Sequence, residues 1–232
     1  MLEDGSVYEG TARGDFKETA CEIVFNTSMT GYVEILTDPS YAGQGVVMTY
    51  PMIGNYGISR EDFESERLQP SAFIVHELSS DPSNFRCTDT IENLLKEYNI
   101  PCISGVDTRA VVKKLRESGT MRGVLTSDIG DRERLMDVIK SFRQIDLVGS
   151  VTAKQTKVYG EENTGAEIAL MDFGTKRNII NNLVKRNCIV TVYPSFTSAD
   201  EIIKTSPDGI MLSNGPGDPS ECVDIIKEIK KL

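Results

Sequence analysis

Three short apolar runs in the last third of the chain constrain its fold more than any other feature. They are EIALMDF (167–173), CIVTVYP (188–194) and DGIMLSN (208–214), and helical patterns fill the gaps between them. Near-continuous apolar runs are typical of parallel strands buried on both faces. Their alternation with helices predicts an α/β fold, a βαβαβα unit that forms the first part of a doubly wound parallel sheet.

The preceding residues have a different pattern, which predicts a separate α+β domain over residues 1–146. Four β-rich runs come first, and three helical patterns follow over 88–99, 107–118 and 131–142. The predicted strands are CEIVFNTS (21–28), GYVEILTD (31–38), GVVMTYP (45–51) and AFIVHEL (72–78). Residues 147–166 are poor in apolar residues and rich in Gly, Thr, Glu and Lys, so we predict a linker there, with the α/β domain over 167–232.

Charge and composition exclude several classes of protein. The formal net charge of −10 opposes binding to nucleic acid or to an anionic membrane. The amino terminus lacks the pattern of a signal peptide, and no apolar stretch approaches the ~20 residues that span a bilayer. We therefore expect a soluble cytoplasmic protein. Five cysteines without a CxxC pair favour structural thiols: Cys21, Cys87, Cys102, Cys188 and Cys222.

The loop LSNGPGDP (212–219) is the most informative polar segment. Gly215 and Gly217 follow the third apolar run, where a side chain would block close approach to the backbone. Asp218 as N-cap, Pro219 at the first helical position and Glu221 in a capping box predict a helix directly after them. Such a loop presents main-chain N–H groups to an anion or a developing oxyanion, although a plain strand-to-helix turn is equally compatible with these residues.

Nucleotide phosphate is a poor candidate for that anion, because neither a third glycine nor a Walker A Lys-Ser/Thr follows. A nucleophile for acyl transfer is not evident either. The single histidine, His76, lies in an apolar run that favours a structural role, and the DFG at Asp172 lacks the other kinase motifs. Three strands would also leave an open sheet edge, so we expect the reacting groups to lie in a longer α/β domain.

Five segments, in order, resemble the small, glutaminase subunit of glutamine-dependent carbamoyl-phosphate synthase, and the likeness extends from Leu2 to the last helix. The segments are VFNTSMTGYVEILTDPSYAGQ (24–44), TYPMIGNYG (49–57), GVDTRAVVKKLRESG (105–119), DFGTKRNII (172–180) and LSNGPGDP (212–219). The resemblance implies a swivelling β/β/α amino-terminal domain that docks on a large synthetase subunit. A flavodoxin-like class I glutamine amidotransferase domain follows, incomplete in these residues.

In this family the small subunit hydrolyses glutamine through a cysteine thioester and passes ammonia to the large subunit. The large subunit, which uses ATP and Mg, makes carbamoyl phosphate for arginine and pyrimidine biosynthesis. The resemblance implies no cofactor and no metal on the small subunit, and glutamine and the large subunit as its partners. The family's Cys-Leu-Gly-His-Gln elbow and later His-x-Glu are absent from this sequence, so we expect these 232 residues to be inactive alone.

Three glutamine-binding positions carry over from the family: Ser40, Gly215 and Gly217, with Gly215 as the oxyanion donor. By spacing alone, Asp38-Pro39-Ser40-Tyr41 predicts only a type I turn. A catalytically dead interaction module for a large partner is the alternative function. A related anthranilate or guanylate synthase subunit is disfavoured, because those families do not begin with a domain like residues 1–146.

Overall fold

A computed structural model describes residues 1–14, 16–144 and 146–232 and divides the chain into two compact units. The first unit comprises Met1–Thr37 and Tyr41–Gln144, and the second comprises Asp38–Ser40 and Ile145–Leu232. Both units combine helices with sheets, so the α/β class is confirmed. The short segment Asp38–Ser40 lay inside the predicted first domain but belongs to the second unit.

The first unit is built on a six-stranded mixed sheet of order β1-β7-β5-β3-β2-β8 and a two-stranded sheet of β4 and β6. Its strands are β1 Thr11–Arg13, β2 Thr19–Asn26, β3 Gln44–Met48, β4 Met52–Ile53, β5 Ala72–Ile74, β6 Glu77–Leu78, β7 Cys102–Ser104 and β8 Met121–Leu125. Its helices are α1 Tyr32–Thr37, α2 Ile91–Glu97, α3 Thr108–Ser118 and α4 Arg132–Ser141. Strands β7, β5, β3 and β2 are mutually parallel, and β1 and β8 pair antiparallel at the edges.

Separate apolar clusters account for the core of this unit. Helices α1 and α2 pack with Val46, Met48 and Phe73, whereas α3 packs with Val47 and Ile74. Because side chains alternate along a strand, neighbours such as Val46 and Val47 belong to different clusters. The helices predicted over 107–118 and 131–142 are present, and the carboxylates of Asp107 and Asp131 cap them.

The predicted strand over 31–38 is wrong, because these residues form α1. The amides of Gly31 and Tyr32 donate to the Tyr56 hydroxyl, 2.6 and 3.2 Å away, which satisfies two donors at the start of the helix. The rings of Tyr32 and Tyr56 stack with centroids 4.2 Å apart. Nearly every side chain of this short helix is buried, so its sequence shows no helical period of apolar and polar residues. The apolar run therefore resembled a strand.

The second unit contains a four-stranded sheet of order β12-β10-β11-β9 with helices on both faces. Its strands are β9 Lys157–Tyr159, β10 Glu167–Asp172, β11 Ile189–Pro194 and β12 Gly209–Leu212. Its helices are α5 Leu147–Val151, α6 Arg177–Val184, α7 Ala199–Ile203 and α8 Val223–Ile229. Across both units, the described residues also form 3₁₀ turns at Pro39–Tyr41, Arg60–Asp62 and Pro219–Glu221.

The three predicted parallel strands are β10, β11 and β12. Strand β10 pairs in parallel with both of the others, and its neighbouring side chains belong to two cores. Ala169 and Met171 pack with Ile202 of α7, whereas Leu170 packs with Ile180 of α6. Burial on both faces holds for the middle of the sheet but not for the edge strand β12, where alternate side chains are exposed.

The structure differs from the predicted linker over 147–166. This segment contains α5 and β9, and β9 pairs antiparallel with β11. The Thr152 hydroxyl, which is buried, donates to Asp172 O at 2.6 Å and accepts from Ser195 N at 2.8 Å. The polar composition reflects an edge strand with exposed side chains, so segment 147–166 is part of the second unit.

We expect Thr152→Val to lower the free energy of unfolding of the second unit by about 2 kcal/mol or more. The substitution keeps the shape of the side chain but leaves a buried carbonyl and a buried amide without their partner. Thr152→Ser retains the hydroxyl and is the matched control. Urea unfolding followed by circular dichroism measures both variants, and equal stability of Thr152→Val and Thr152→Ser would contradict this account.

Candidate functional site

The candidate site lies where β10 and β12 end. Parallel pairing places Met171 opposite Leu212, so the loops after the two strands begin at the same edge of the sheet. Ligands of open α/β sheets bind at this edge. The site therefore consists of the loop after β10, which is 173–176, the loop after β12, which is 213–218, and the segment Asp38–Ser40 of the same unit.

The carboxylate of Asp172 organises the loop after β10. It accepts hydrogen bonds from the amides of Gly174 and Thr175, at 3.0 and 2.7 Å, and from Ala153 N at 2.7 Å. A carboxylate that satisfies three main-chain donors fixes the local turn. The DFG sequence at this point is therefore part of a structural turn, in agreement with the absence of other kinase motifs.

Polar contacts also join the two loops. Phe173 N donates to Ser213 Oγ at 2.9 Å, and the same hydroxyl donates to Asn214 O at 2.7 Å. The side-chain amide of Asn214 then donates to Gly174 O at 3.1 Å. Two of these hydrogen bonds, Phe173 to Ser213 and Asn214 to Gly174, run between the loops and hold the two backbones side by side.

Gly215 and Gly217 are exposed, and each has a structural reason to be glycine. A Cβ at Gly215 would overlap the carbonyl oxygen of Phe173, whereas Gly217 has a φ of +79°, which disfavours residues with a side chain. Neither amide donates to an acceptor within the residues that the structure describes. Both residues thus lie exposed after β12, and their N–H groups have no acceptor in the described part of the chain.

Ser40 lies beside this loop. Its Oγ accepts from Asn214 Nδ2 at 2.9 Å, so Ser40 contacts the residue that directly precedes Gly215. Asp38, which is buried, accepts from Ser40 N at 2.9 Å and pairs with Lys176 Nζ at 2.6 Å. The structure therefore brings Ser40 and the glycine loop together within the second unit, although their glutamine-binding role stays a prediction.

The predicted helix directly after the glycines is wrong in detail. Asp218 caps a 3₁₀ turn over Pro219–Glu221, and α8 begins only at Val223. Asp218 accepts from Ser220 N at 2.8 Å, and this hydrogen bond lowers the pKa of its carboxyl group. A 3₁₀ turn therefore separates the glycine loop from the first turn of α8.

His76 is not part of this loop region, and Cys222 is the one cysteine of the described residues that lines a cavity with Gly217 and Asp218. His76 belongs to the first unit, where its Nδ1 lies 3.1 Å from Val106 O. His76 is exposed, although its sequence lies in an apolar run. No disulfide joins the five cysteines. Burial raises the pKa of Cys21 and of Cys102 to about 12, and burial is also the main cause that raises the pKa of Cys222.

Two kinds of feature are absent from the part of the chain that the structure describes. In the ranges 1–14, 16–144 and 146–232, no three His, Cys, Asp or Glu side chains are arranged to hold a metal ion. No helix in those same ranges has both the length and the apolar character needed to cross a bilayer.

Sequence reasoning missed the residues that hold Ser40 in place. Asp38, Lys176 and Asn214 lie far apart in the chain, and the Asn214–Ser40 contact spans 174 residues. The signal for Asn214 was present in the sequence, since a side-chain amide next to a Gly-x-Gly loop can bind neighbouring backbone. Nothing local marked Lys176 as the partner of Asp38.

Comparisons with known protein families agree with the division of the chain. The family described as "Carbamoyl-phosphate synthase small chain, CPSase domain" matches residues 1–125, and the family described as "Glutamine amidotransferase class-I" matches residues 169–232. The second match contains both loops of the candidate site.

Similar curated proteins carry the name carbamoyl phosphate synthase small chain. Those of Clostridium perfringens (strain 13 / Type A) and Listeria monocytogenes serotype 4b (strain F2365) are 47% and 45% identical over 233 residues. That of Bacillus anthracis is 46% identical over 232 residues. Each comparison covers 100% of this chain but only 66%, 64% and 63% of the respective relative. The chain therefore spans just under two thirds of the length of these relatives.

We expect Gly215→Ala to lower the free energy of unfolding of the second unit by about 1–3 kcal/mol. The added methyl group overlaps the Phe173 carbonyl oxygen, so the two loops must separate. Gly209→Ala is the matched control, because a Cβ there lies 3.4 Å from the flexible end of Ile168 and changes stability by less than about 0.5 kcal/mol. Urea unfolding measures the free energy of unfolding of both variants. A Gly215→Ala variant as stable as the unaltered chain would contradict the close approach of residue 215 to the Phe173 carbonyl oxygen.

Proposed function

The chain belongs to the carbamoyl-phosphate synthase small chain family, and from this membership we propose that it carries the glutamine-binding loop of a glutamine-hydrolysing carbamoyl-phosphate synthase. One observation supports the proposal most strongly. The exposed amides of Gly215 and Gly217 have no acceptor in the described part of the chain and lie on the loop that Asn214 connects to Ser40. A ligand with oxygen acceptors suits such a group of donors.

In this proposal the Gly215 amide stabilises the oxygen of the glutamine side-chain amide as a thiolate attacks its carbon. The carbonyl oxygen becomes negative during the attack, and a main-chain N–H that is already in place needs no reorganisation. Loss of one such donor costs about 2.7–4 kcal/mol of transition-state stabilisation in enzymes of this type. Gly217 and Ser40 bind the rest of the glutamine molecule.

The attacking thiolate is not among the five cysteines of this sequence. The thiols of Cys21 and Cys102 are buried, and the pKa of each is raised to about 12. Neither a Cys-Leu-Gly-His-Gln stretch nor a later His-x-Glu occurs in the 232 residues. We infer that these residues alone bind glutamine without hydrolysing it.

The remaining features of the proposal follow from the family. The first unit is the swivelling β/β/α domain that docks on a large synthetase chain, and the second is part of a flavodoxin-like amidotransferase domain. The large chain uses ATP and Mg to join ammonia with bicarbonate, in the cytoplasm, for arginine and pyrimidine biosynthesis. The small chain needs no cofactor of its own, and the two chains form a heterodimer.

We expect L-glutamine to bind the chain saturably in isothermal titration calorimetry, whereas D-glutamine and L-asparagine bind at least tenfold more weakly. Two main-chain donors and Ser40 at fixed positions discriminate between enantiomers and between side-chain lengths. The same solution should release no ammonia above the buffer background, because the nucleophile is missing.

Two outcomes would contradict the proposal in different ways. Ammonia release would show that a nucleophile lies within these residues. Absence of any L-glutamine binding, combined with tight binding to a large synthetase chain, would favour the alternative of a catalytically dead interaction module.

A further inference from the structure

The side chain of Asn214 connects two backbone segments of the second unit. Its Nδ2 lies 2.9 Å from Ser40 Oγ and 3.1 Å from Gly174 O. Ser40 is half-buried, and Gly174 is the second residue after β10. The contact therefore joins a predicted ligand-binding hydroxyl to the loop that carries Gly215.

The orientation of this amide follows from the chemistry of its neighbours. The main-chain oxygen of Gly174 can only accept, so the atom of Asn214 that faces it must be the NH₂ group. The same nitrogen faces Ser40 Oγ, and Asn214 is therefore the donor in that contact as well. Ser40 Oγ uses a lone pair to accept this hydrogen bond, and its own hydrogen is left to donate elsewhere.

That hydrogen has no acceptor within the part of the chain that the structure describes. Other contacts fix the backbone of Ser40. Its amide donates to Asp38 Oδ1, and the second oxygen of Asp38 pairs with Lys176. A Cβ on Gly174 would come within 3.0 Å of Pro39 Cβ, so Pro39 also lies close against this loop. Rotation of the hydroxyl is the remaining freedom, and Asn214 restricts it.

The orientation of the Asn214 amide leaves its oxygen unsatisfied. Its Oδ1 is buried and has no hydrogen-bond partner among the described residues. Buried polar atoms in native proteins are satisfied with few exceptions, and an exception calls for an explanation such as a functional role. The amide is oriented so that its nitrogen donates to Ser40 Oγ and Gly174 O.

We propose that Asn214 is a positioning residue that fixes the Ser40 hydroxyl as a hydrogen-bond donor. The site then selects an acceptor oxygen of its ligand, a carboxylate or a carbonyl, at the position next to Ser40, and disfavours an ammonium group there. The identity of that ligand as L-glutamine rests on the proposed function, whereas the orientation of the hydroxyl does not.

The central variant is Asn214→Asp, which keeps the size of the side chain but removes both amide hydrogens. A carboxylate at 214 accepts from Ser40 and turns the hydroxyl away from the ligand. We expect about tenfold weaker L-glutamine binding in calorimetry, which corresponds to about 1.4 kcal/mol. Ser40→Ala should weaken binding by the same factor, and the double variant should bind no more weakly than either single variant.

Asn181→Asp is the matched control. Asn181 lies on the exposed face of α6 in the same unit, so the substitution makes the same change in charge outside the site. Its affinity for L-glutamine should equal that of the unaltered chain. An affinity of Asn214→Asp within twofold of this control would overturn the proposal. A roughly hundredfold loss of affinity in the double variant, the product of two independent tenfold losses, would overturn it as well.

A second measurement separates failure of this inference from failure of the proposed function. If the unaltered chain does not bind L-glutamine, the proposed function is wrong. The contact between Asn214 and Ser40 is then tested by the free energy of unfolding, measured in urea. Non-additive losses of stability in Ser40→Ala, Asn214→Ala and the double variant would support the contact that orients the hydroxyl. Strictly additive losses would overturn it.

Discussion

Parallel hydrogen bonding between β10 and β12 is the constraint on which the site depends, because it brings the loops after the two strands together at one sheet edge. The pairing continues beyond the strands, where Ser213 N donates to Met171 O and Phe173 N donates to Ser213 Oγ. The backbones then run so close that residue 215 has no space for a Cβ beside Phe173. A glycine at position 215 is therefore a consequence of the strand register, apart from the role that we propose for its amide as a donor to a ligand.

Buried polar groups stiffen this edge of the sheet. Asp172 receives three main-chain amides, and Thr152 joins the end of β10 to Ser195 after β11. Satisfied networks of this kind hold a local structure in one arrangement. A rigid support matters here because main-chain donors contribute most to catalysis when their positions are fixed before the reaction begins.

Much of the fold could be predicted from the sequence, since three apolar runs with helices between them identify the parallel strands, and Asp107 and Asp131 mark the starts of two helices. Helix α1 could not be predicted, because its start depends on Tyr56, 24 residues away from Tyr32. The segment 147–166 resembled a linker because β9 is an exposed edge strand.

The candidate site was predictable only in part. The glycine loop is a local pattern of turn residues, and its sequence indicated N–H donors directly. The position of Ser40 depends on contacts with Asn214, and on the ion pair of Asp38 with Lys176, which link residues far apart in the chain. Such contacts leave no periodicity, so only a family resemblance or a structure could place Ser40 beside the loop.

The proposed site requires that the Gly215 and Gly217 amides be exposed and lack an acceptor when no ligand is bound. Amide hydrogen exchange, resolved for each residue by NMR, measures this property directly. We predict exchange of both amides at close to the rate of an unstructured peptide, while the amides of Ala169 and Met171 in β10 are strongly protected. Protection of Gly215 and Gly217 comparable to that of β10 would contradict the account, since it would mean that the protein itself already uses these donors.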